Sequence, residues 1–214
     1  MKLLIKQAQV IAPSSPLNGK KQDILIENGK ITRIADSITG QADQVISEEG
    51  ICVSPGWMDI FADFADPGQE YRETIETGAR AAAAGGFTDV MLIPNTSPVT
   101  DTKAQADYLV QKGKQTPVNI HPIAAITRKT EGKDLAEMYD MHQAGAIAFG
   151  DGIHPVQSAG LLLKALQYVK TIDGTVIQLP DDSSIGANGL MNEGIVSTRM
   201  GLPAFRLASP VRLS

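Results

Sequence analysis

The stretch Ser54-Pro55-Gly56-Trp57-Met58-Asp59-Ile60-Phe61-Ala62-Asp63-Phe64-Ala65-Asp66-Pro67-Gly68 decides how this chain is read. A Pro-Gly break opens it, an apolar run with strand character fills it, and a second Pro-Gly break closes it. A strand that ends at the open mouth of a barrel sends alternate side chains into that mouth, where barrel enzymes place metal ligands. The two alternate positions here are Phe61 and Asp63, expected to face the same way.

Downstream of this stretch, strand-like and helix-like runs alternate. Residues 57–64 precede 73–84, and 88–93 precede 101–112. Then 118–126 precede 134–143, 146–149 precede 158–171, and 175–179 close the series. Gly85-Gly86, Gly113, Gly145 and Gly174 stand where helices should stop, and Asp101 and Ser158 are the expected N-caps. Leu162, Ala165, Leu166 and Val169 share one apolar helical face. Strand–helix units of about 30 residues predict an α/β fold on a parallel sheet, either barrel or doubly wound. Five strand candidates are present.

Upstream, residues 1–53 read as a small β-rich module of short strands, with Leu3-Leu4-Ile5 and Val10-Ile11 apolar. Asn18-Gly19 and Asn28-Gly29 suit primed hairpin turns, the second flanked by runs 23–27 and 30–35. The 214 residues are 43% hydrophobic and 20% charged, an ordinary globular balance. A net charge of −5 without a basic run argues against nucleic acid or an anionic membrane as partner. A single cysteine, Cys52, makes no internal disulfide; it precedes the barrel in an apolar context and reads as inert. With no leader-like N-terminus and no long apolar segment, a cytoplasmic location is expected.

From Pro55-Gly56-Trp57-Met58-Asp59 the chain resembles the amidohydrolase superfamily, and its later motifs resemble dihydroorotase. Asp66-Pro67-Gly68-Gln69-Glu70-Tyr71 is similar to that family's loop after the first barrel strand. Ala81-Ala82-Ala83-Ala84-Gly85-Gly86-Phe87-Thr88 is similar to its first helix and turn, and Ile93-Pro94-Asn95-Thr96 to its second strand end. Gly145-Ala146-Ile147-Ala148-Phe149 and Met191-Asn192-Glu193-Gly194 are similar to its fourth strand and a late loop. The resemblance covers residues 1 to about 203 and implies the N-terminal part of a (β/α)8 TIM barrel, about five strands, preceded by a small β-sandwich portion. Boundaries follow at 1–53, 54–203 and an aberrant tail at 204–214.

The family hydrolyses a cyclic amide, interconverting dihydroorotate and carbamoyl-aspartate. Zinc supplies its hydroxide by lowering the pKa of bound water from about 15.7 to about 7. Carried over residue by residue, the family's His-x-His falls on Phe61-Ala62-Asp63, and a substrate-holding arginine falls on Ala65. The acidic ligand of strand four falls in Phe149-Gly150-Asp151-Gly152, a turn one residue shorter than the family's, so Asp151 takes either the ligand's place or its neighbour's. The strand-five histidine falls on Gln178 or Leu179. A further histidine and the catalytic aspartate lie beyond the last residue. Asn95 alone keeps its family role, substrate contact.

The resemblance therefore implies a protein of pyrimidine biosynthesis with no catalytic residue and no zinc. Some such relatives serve as structural partners of aspartate transcarbamoylase. The rival reading is an active cyclic amidohydrolase with an atypical carboxylate metal site.

Asp63, Asp66 and Asp151 could form a site for a hard cation, against a reading as solvated loop carboxylates. His154 could reach the mouth or stand exposed beside Pro155, while His121 and His142 read as packed residues. Asp181-Asp182-Ser183-Ser184 reads as a turn or helix start, and Gly85-Gly86 as a helix stop rather than a phosphate loop. Eight strands close such a barrel, so five leave open edges and an apolar interior prone to self-association. A truncated or frame-shifted reading frame is the expectation for the tail.

Overall fold

The computed structural model describes residues 1–183 and 189–205. The chain divides into two compact units, Met1–Gly56 and Trp57–Ser214.

The first unit is built on one five-stranded sheet. Strands β1 (Lys2–Val10), β2 (Lys21–Glu27) and β3 (Lys30–Ala35) pair antiparallel, while β4 (Gln44–Ile46) and β5 (Cys52–Val53) run parallel to β1. Asn28 and Gly29 both take left-handed φ (52° and 77°), as a primed two-residue turn demands. Asn18-Gly19 does not make such a turn. It ends a longer connection, residues 11–20, in which the Asn18 Oδ1 accepts from Ala12 N at 2.9 Å.

Leu3-Leu4-Ile5 and Val10 lie on one strand, β1, which crosses a bulge between Ile5 and Ala8 and ends before Ile11. The bulge has a polar cause. Gln7, at φ 50°, turns its N–H and its Nε2 onto Asp23 Oδ1 (2.9 and 3.1 Å), and Asp23 Oδ2 accepts from Ile38 N at 2.9 Å. Burial pushes the Asp23 carboxyl up, but the donors from Ile38 and Gln7 outweigh it and hold the group below the usual range. Leu4, Leu25 and Ile38 pack beside it. Cys52 is exposed rather than set in apolar surroundings.

The second unit carries five parallel strands side by side in chain order. They are β6 (Trp57–Ala62), β7 (Phe87–Leu92), β8 (Asn119–Ala124), β9 (Ala148–Phe149) and β10 (Thr175–Val176). Helices α1 (Ile75–Ala84), α2 (Lys103–Gly113), α3 (Met138–Gln143) and α4 (Ala159–Lys170) fill the crossovers, the architecture of a partial (β/α) barrel. Alternation along β7 sorts the core into two layers. Val90 and Leu92 pack with Ile75, Ala79 and Leu109 of the helices. Met91 and Ile93 pack instead with Ile123, Ala148, Phe61 and Ile177 across the opposite face. Apolar residues on both faces are the mark of a covered parallel strand.

Three local expectations are corrected. Ser158 caps α4 through Leu161 N, but Asp101 does not cap α2; its Oδ2 accepts from Lys129 N at 2.8 Å. Helix α3 begins at Met138 rather than 134, because Leu135 bridges Thr127 and Ala136 N donates to Ile126 O. On α4, Ala165 and Val169 are buried and Leu161 and Leu162 pack on the core, whereas Leu166 is 47% exposed.

A short parallel pair, β11 (Met191–Asn192) and β12 (Ala204–Phe205), flanks α5 (Ile195–Met200). Of the tail read as aberrant, residues 206–214 lie outside the described residues, as does Ser184 of the acidic–serine cluster. Among the described residues no helix is long and apolar enough to cross a membrane.

Candidate active site at the barrel mouth

Phe61 and Asp63 part company. Phe61 packs into the layer of Met91, Ile93, Ile123 and Ile177. Asp63 instead lines a cleft with Phe64, Glu73 and Val90. The alternation fails because the β6–β7 register shifts between Asp59 and Ala62, with Asp59 Oδ1 accepting from Phe61 N at 3.0 Å. Past the strand end, Asp63 Oδ1 accepts from Ala65 N at 2.8 Å, its Oδ2 stands 3.7 Å from the Arg72 guanidinium, and Ala65 is buried at φ 58°. This short-range turn aims the carboxylate along its own loop.

Asp66 is buried and fully engaged. Its Oδ2 accepts from Ile75 N at 3.2 Å, the first residue of α1, and its Oδ1 accepts from the Tyr108 hydroxyl at 2.9 Å. Burial and then the Asp66 carboxylate raise the Tyr108 phenol above its ordinary pKa. Asp66 thus joins the start of α1 to α2.

The third carboxylate, Asp151, is buried behind β9. Its Oδ1 accepts from Thr127 N at 2.9 Å and its Oδ2 takes a short hydrogen bond from the Thr127 hydroxyl. Burial raises its pKa, and the Thr127 donors work against that shift. Thr127 Oγ1 also accepts from Gly132 N at 2.9 Å. Asn95 completes the group: its Nδ2 donates to Asp151 O at 3.1 Å and its Oδ1 accepts from Ile153 N at 2.9 Å. Between those two bonds lies Gly152 at φ 61°, where an added Cβ would stand 1.7 Å from Asn95 Oδ1. One polar latch therefore ties the loops after β7, β8 and β9. Nothing in the sequence around Thr127 singles it out; only its place just past a strand end hints at a role.

Gln178 clasps the Val156 backbone, accepting from its N–H and donating to its carbonyl, both at 3.3 Å. His154 is exposed and its backbone N–H donates to Asp151 O. His142 Nδ1 is 3.1 Å from Ala146 O. His121 pairs with Asp89 at 2.9 Å, which with the Thr88 and Asn119 bonds holds Asp89 below the usual carboxylate range. In the turn read from Asp181-Asp182-Ser183, Gln157 bonds Asp181 O and Ser183 N. Among the described residues no three His, Cys, Asp or Glu side chains gather as a metal would need. The structure does not bring Asp63, Asp66 and Asp151 together.

A parallel βα sheet that continues from a β module, with polar groups gathered at its strand ends, is the frame of the amidohydrolase barrels. A family model described as dihydro-orotase-like matches residues 50–206, and the chain belongs to that family. It is 41% identical over 206 residues to the dihydroorotase of Syntrophus aciditrophicus, covering 95% of this chain and 48% of the relative. The dihydroorotase of Pelotomaculum thermopropionicum is 45% identical over 204 residues, with 94% and 47% covered. The chain thus spans about half the length of the relatives it matches. Among solved structures, L-hydantoinase from Arthrobacter aurescens superposes with a TM-score of 0.72 at 22% identity, covering 86% of this chain and 41% of that one. A dihydroorotase crystal structure superposes at 0.59 and 12% identity, with 82% and 50% covered. These two likenesses concern the fold.

Proposed function

We propose that this chain is a dihydroorotase-like protein of pyrimidine biosynthesis whose barrel mouth has lost its zinc site and which, in its full-length form, serves as a scaffold or regulatory partner of aspartate transcarbamoylase. The observation that carries this reading is Phe61. A zinc site takes three or four His, Cys or carboxylate donors. Phe61 offers no lone pair and fills an apolar layer, while Asp63 and Asp151 spend their oxygens on Ala65 and Thr127. The residues present do not fit a zinc ion, so no hydrolytic step is derived through one. Asn95, a substrate contact in the family, has its amide turned to the 151–153 turn instead.

The test is metal content and turnover together. After equilibration with zinc and gel filtration, the protein should carry well under one equivalent and leave both dihydroorotate and carbamoyl-aspartate unchanged. The full-length form, mixed with the aspartate transcarbamoylase of the same cell, should co-sediment. One equivalent of zinc, lost in Asp63→Ala or Asp151→Asn together with turnover, would instead establish the carboxylate-site hydrolase.

A further inference from the structure

The first unit holds the same dipeptide twice, Asn18-Gly19 and Asn28-Gly29, and both asparagines are exposed. Asparagine is a chemically labile residue, and most so before glycine, which has no Cβ to keep its amide nitrogen from the preceding side chain. A Cβ added at Gly19 or at Gly29 would meet nothing within 4 Å, so the two sites have equal room. They differ in what holds the reacting atoms. Gly19 N donates to Val10 O at 2.8 Å and Asn18 Oδ1 accepts from Ala12 N at 2.9 Å, which fixes the nucleophile and the carboxamide at once. At the β2–β3 turn, among the described residues, no acceptor takes the Gly29 N–H. That turn is tied one residue earlier, where Asn28 N donates to Met1 O at 3.0 Å. Asn28 Oδ1 accepts from Met1 N at 3.3 Å, a contact that draws electrons from the carbon to be attacked. The two Asp-Gly pairs are held as well: Gly174 N donates to Val169 O at 3.1 Å, and Asp151 is buried with both oxygens on Thr127.

We propose that Asn28 is a self-modifying site of the folded chain, converting to a mixture of isoaspartate and aspartate while Asn18 stays intact. The deprotonated Gly29 nitrogen attacks Asn28 Cγ. A new C–N bond forms there, the bond from Cγ to the carboxamide nitrogen breaks, and that nitrogen leaves as ammonia, carrying the proton the glycine nitrogen gave up. Water then opens the succinimide at either carbonyl. Opening at Cγ gives aspartate; opening at the main-chain carbon leaves the chain running through Cβ and Cγ as isoaspartate. Water is the one co-reactant and nothing is oxidised or reduced. Isoaspartate adds an atom to the main chain, so a two-residue turn with both φ positive no longer fits. Either product sets a carboxylate beside Glu27, whose partner is Lys2 at 3.2 Å. The end of the β2–β3 hairpin should then loosen, and the turn records the age of the chain. The inference rests on bonds made within residues 1–30 and is independent of the barrel mouth.

The test holds the folded chain in heavy-oxygen water at mildly alkaline pH and then digests it with trypsin. Asn28 and Asn18 fall on separate peptides, 22–30 and 7–20, and Asn188-Gly189, whose asparagine lies outside the described residues, falls on a third. Peptide 22–30 should lose ammonia, gain heavy oxygen and split into two products, with isoaspartate in excess. Its conversion should run at least tenfold faster than that of peptide 7–20. In urea, where the bonds to Val10 and Ala12 are gone, the two rates should converge, which separates the effect of the fold from that of the flanking residues. In the converted fraction amide exchange at Lys30 should quicken. Equal rates in the folded chain, or a faster rate at Asn18, would overturn the proposal. So would an Asn28 that stays intact in the folded chain while both asparagines convert in urea, because the turn would then protect it.

Discussion

Gly152 and Asn95 provide a quantitative test of the latch at the barrel mouth. An alanine at residue 152 would hold φ near 61°, a left-handed conformation that costs a side-chain-bearing residue about 1 kcal/mol. Its Cβ would also sit 1.7 Å from Asn95 Oδ1, so the amide must leave. The bonds to Ile153 N and Asp151 O, 2.9 and 3.1 Å, would be lost at about 1 kcal/mol each. Gly152→Ala should therefore cost about 3 kcal/mol, and Asn95→Ala about 2 kcal/mol for the same two bonds. The double variant discriminates. Independent effects would sum to about 5 kcal/mol, but with Asn95 already truncated the new methyl keeps only a tight 3.1 Å contact with Pro94 Cδ. The pair should then cost about 3 kcal/mol, a coupling of about 2 kcal/mol. Urea unfolding followed by Trp57 fluorescence measures each variant. A double variant at the additive value within about 0.5 kcal/mol would refute the clash and the latch with it.

The remaining predictions concern buried polar groups and pH. Thr127→Val removes the hydroxyl from a buried carboxyl and the acceptor from Gly132 N, so it should cost about 2–3 kcal/mol in urea while Thr127→Ser costs under about 1. Asp151 and Asp89 should give opposite pH signatures. The raised pKa of folded Asp151 makes its contribution fully present below its unfolded pKa of about 3.9 and lost as pH rises through the folded value. Asp89 is lowered, so its contribution is present above about 3.9 and lost as pH falls through the folded value. Stability profiles of Asp151→Asn and Asp89→Asn against the parent should show these slopes, and matching slopes would contradict the burial and His121 accounts. In the first unit, Asp23→Ala strands Ile38 N and two Gln7 donors; amide exchange at Ile38 should quicken as expected for a loss of about 3 kcal/mol.

Periodicity and punctuation made the frame legible in the sequence. The four apolar runs ahead of helical stretches, with the run that closes the series, became β6 to β10 in order, and Asn28-Gly29 formed the turn its residue types require. What stayed hidden depended on long-range polar contacts. The Gln7–Asp23 bond that bulges β1 joins residues 16 apart, and the Thr127–Asp151 bond joins residues 24 apart. No local pattern encodes such pairs. The opposite orientations of Phe61 and Asp63 were equally unreadable, because strict alternation holds only while a strand keeps its register. Here the register slips inside the very stretch where two side chains were expected to point together.

The short strands explain why the mouth became so heavily braced. β9 and β10 have two residues each, so the β9–β10 ladder supplies few hydrogen bonds to hold that side of the sheet. Side chains past the strand ends make up the deficit: Asp151 ties β9 to β8, Asn95 ties β7 to β9, and Gln178 holds the stretch after β10 to residue 156. A metal ligand needs a lone pair kept for the ion and a second partner to orient it. A bracing residue needs its lone pairs occupied within the chain. At strand ends the two demands fall on the same few positions, and on the proposed reading bracing has prevailed in this protein. Reintroducing imidazole at residues 61 and 63 would then fail to bind zinc, since the backbone after β6 sends those two side chains to different neighbours. Near-stoichiometric zinc in Phe61→His/Asp63→His would show instead that the register yields to the ion.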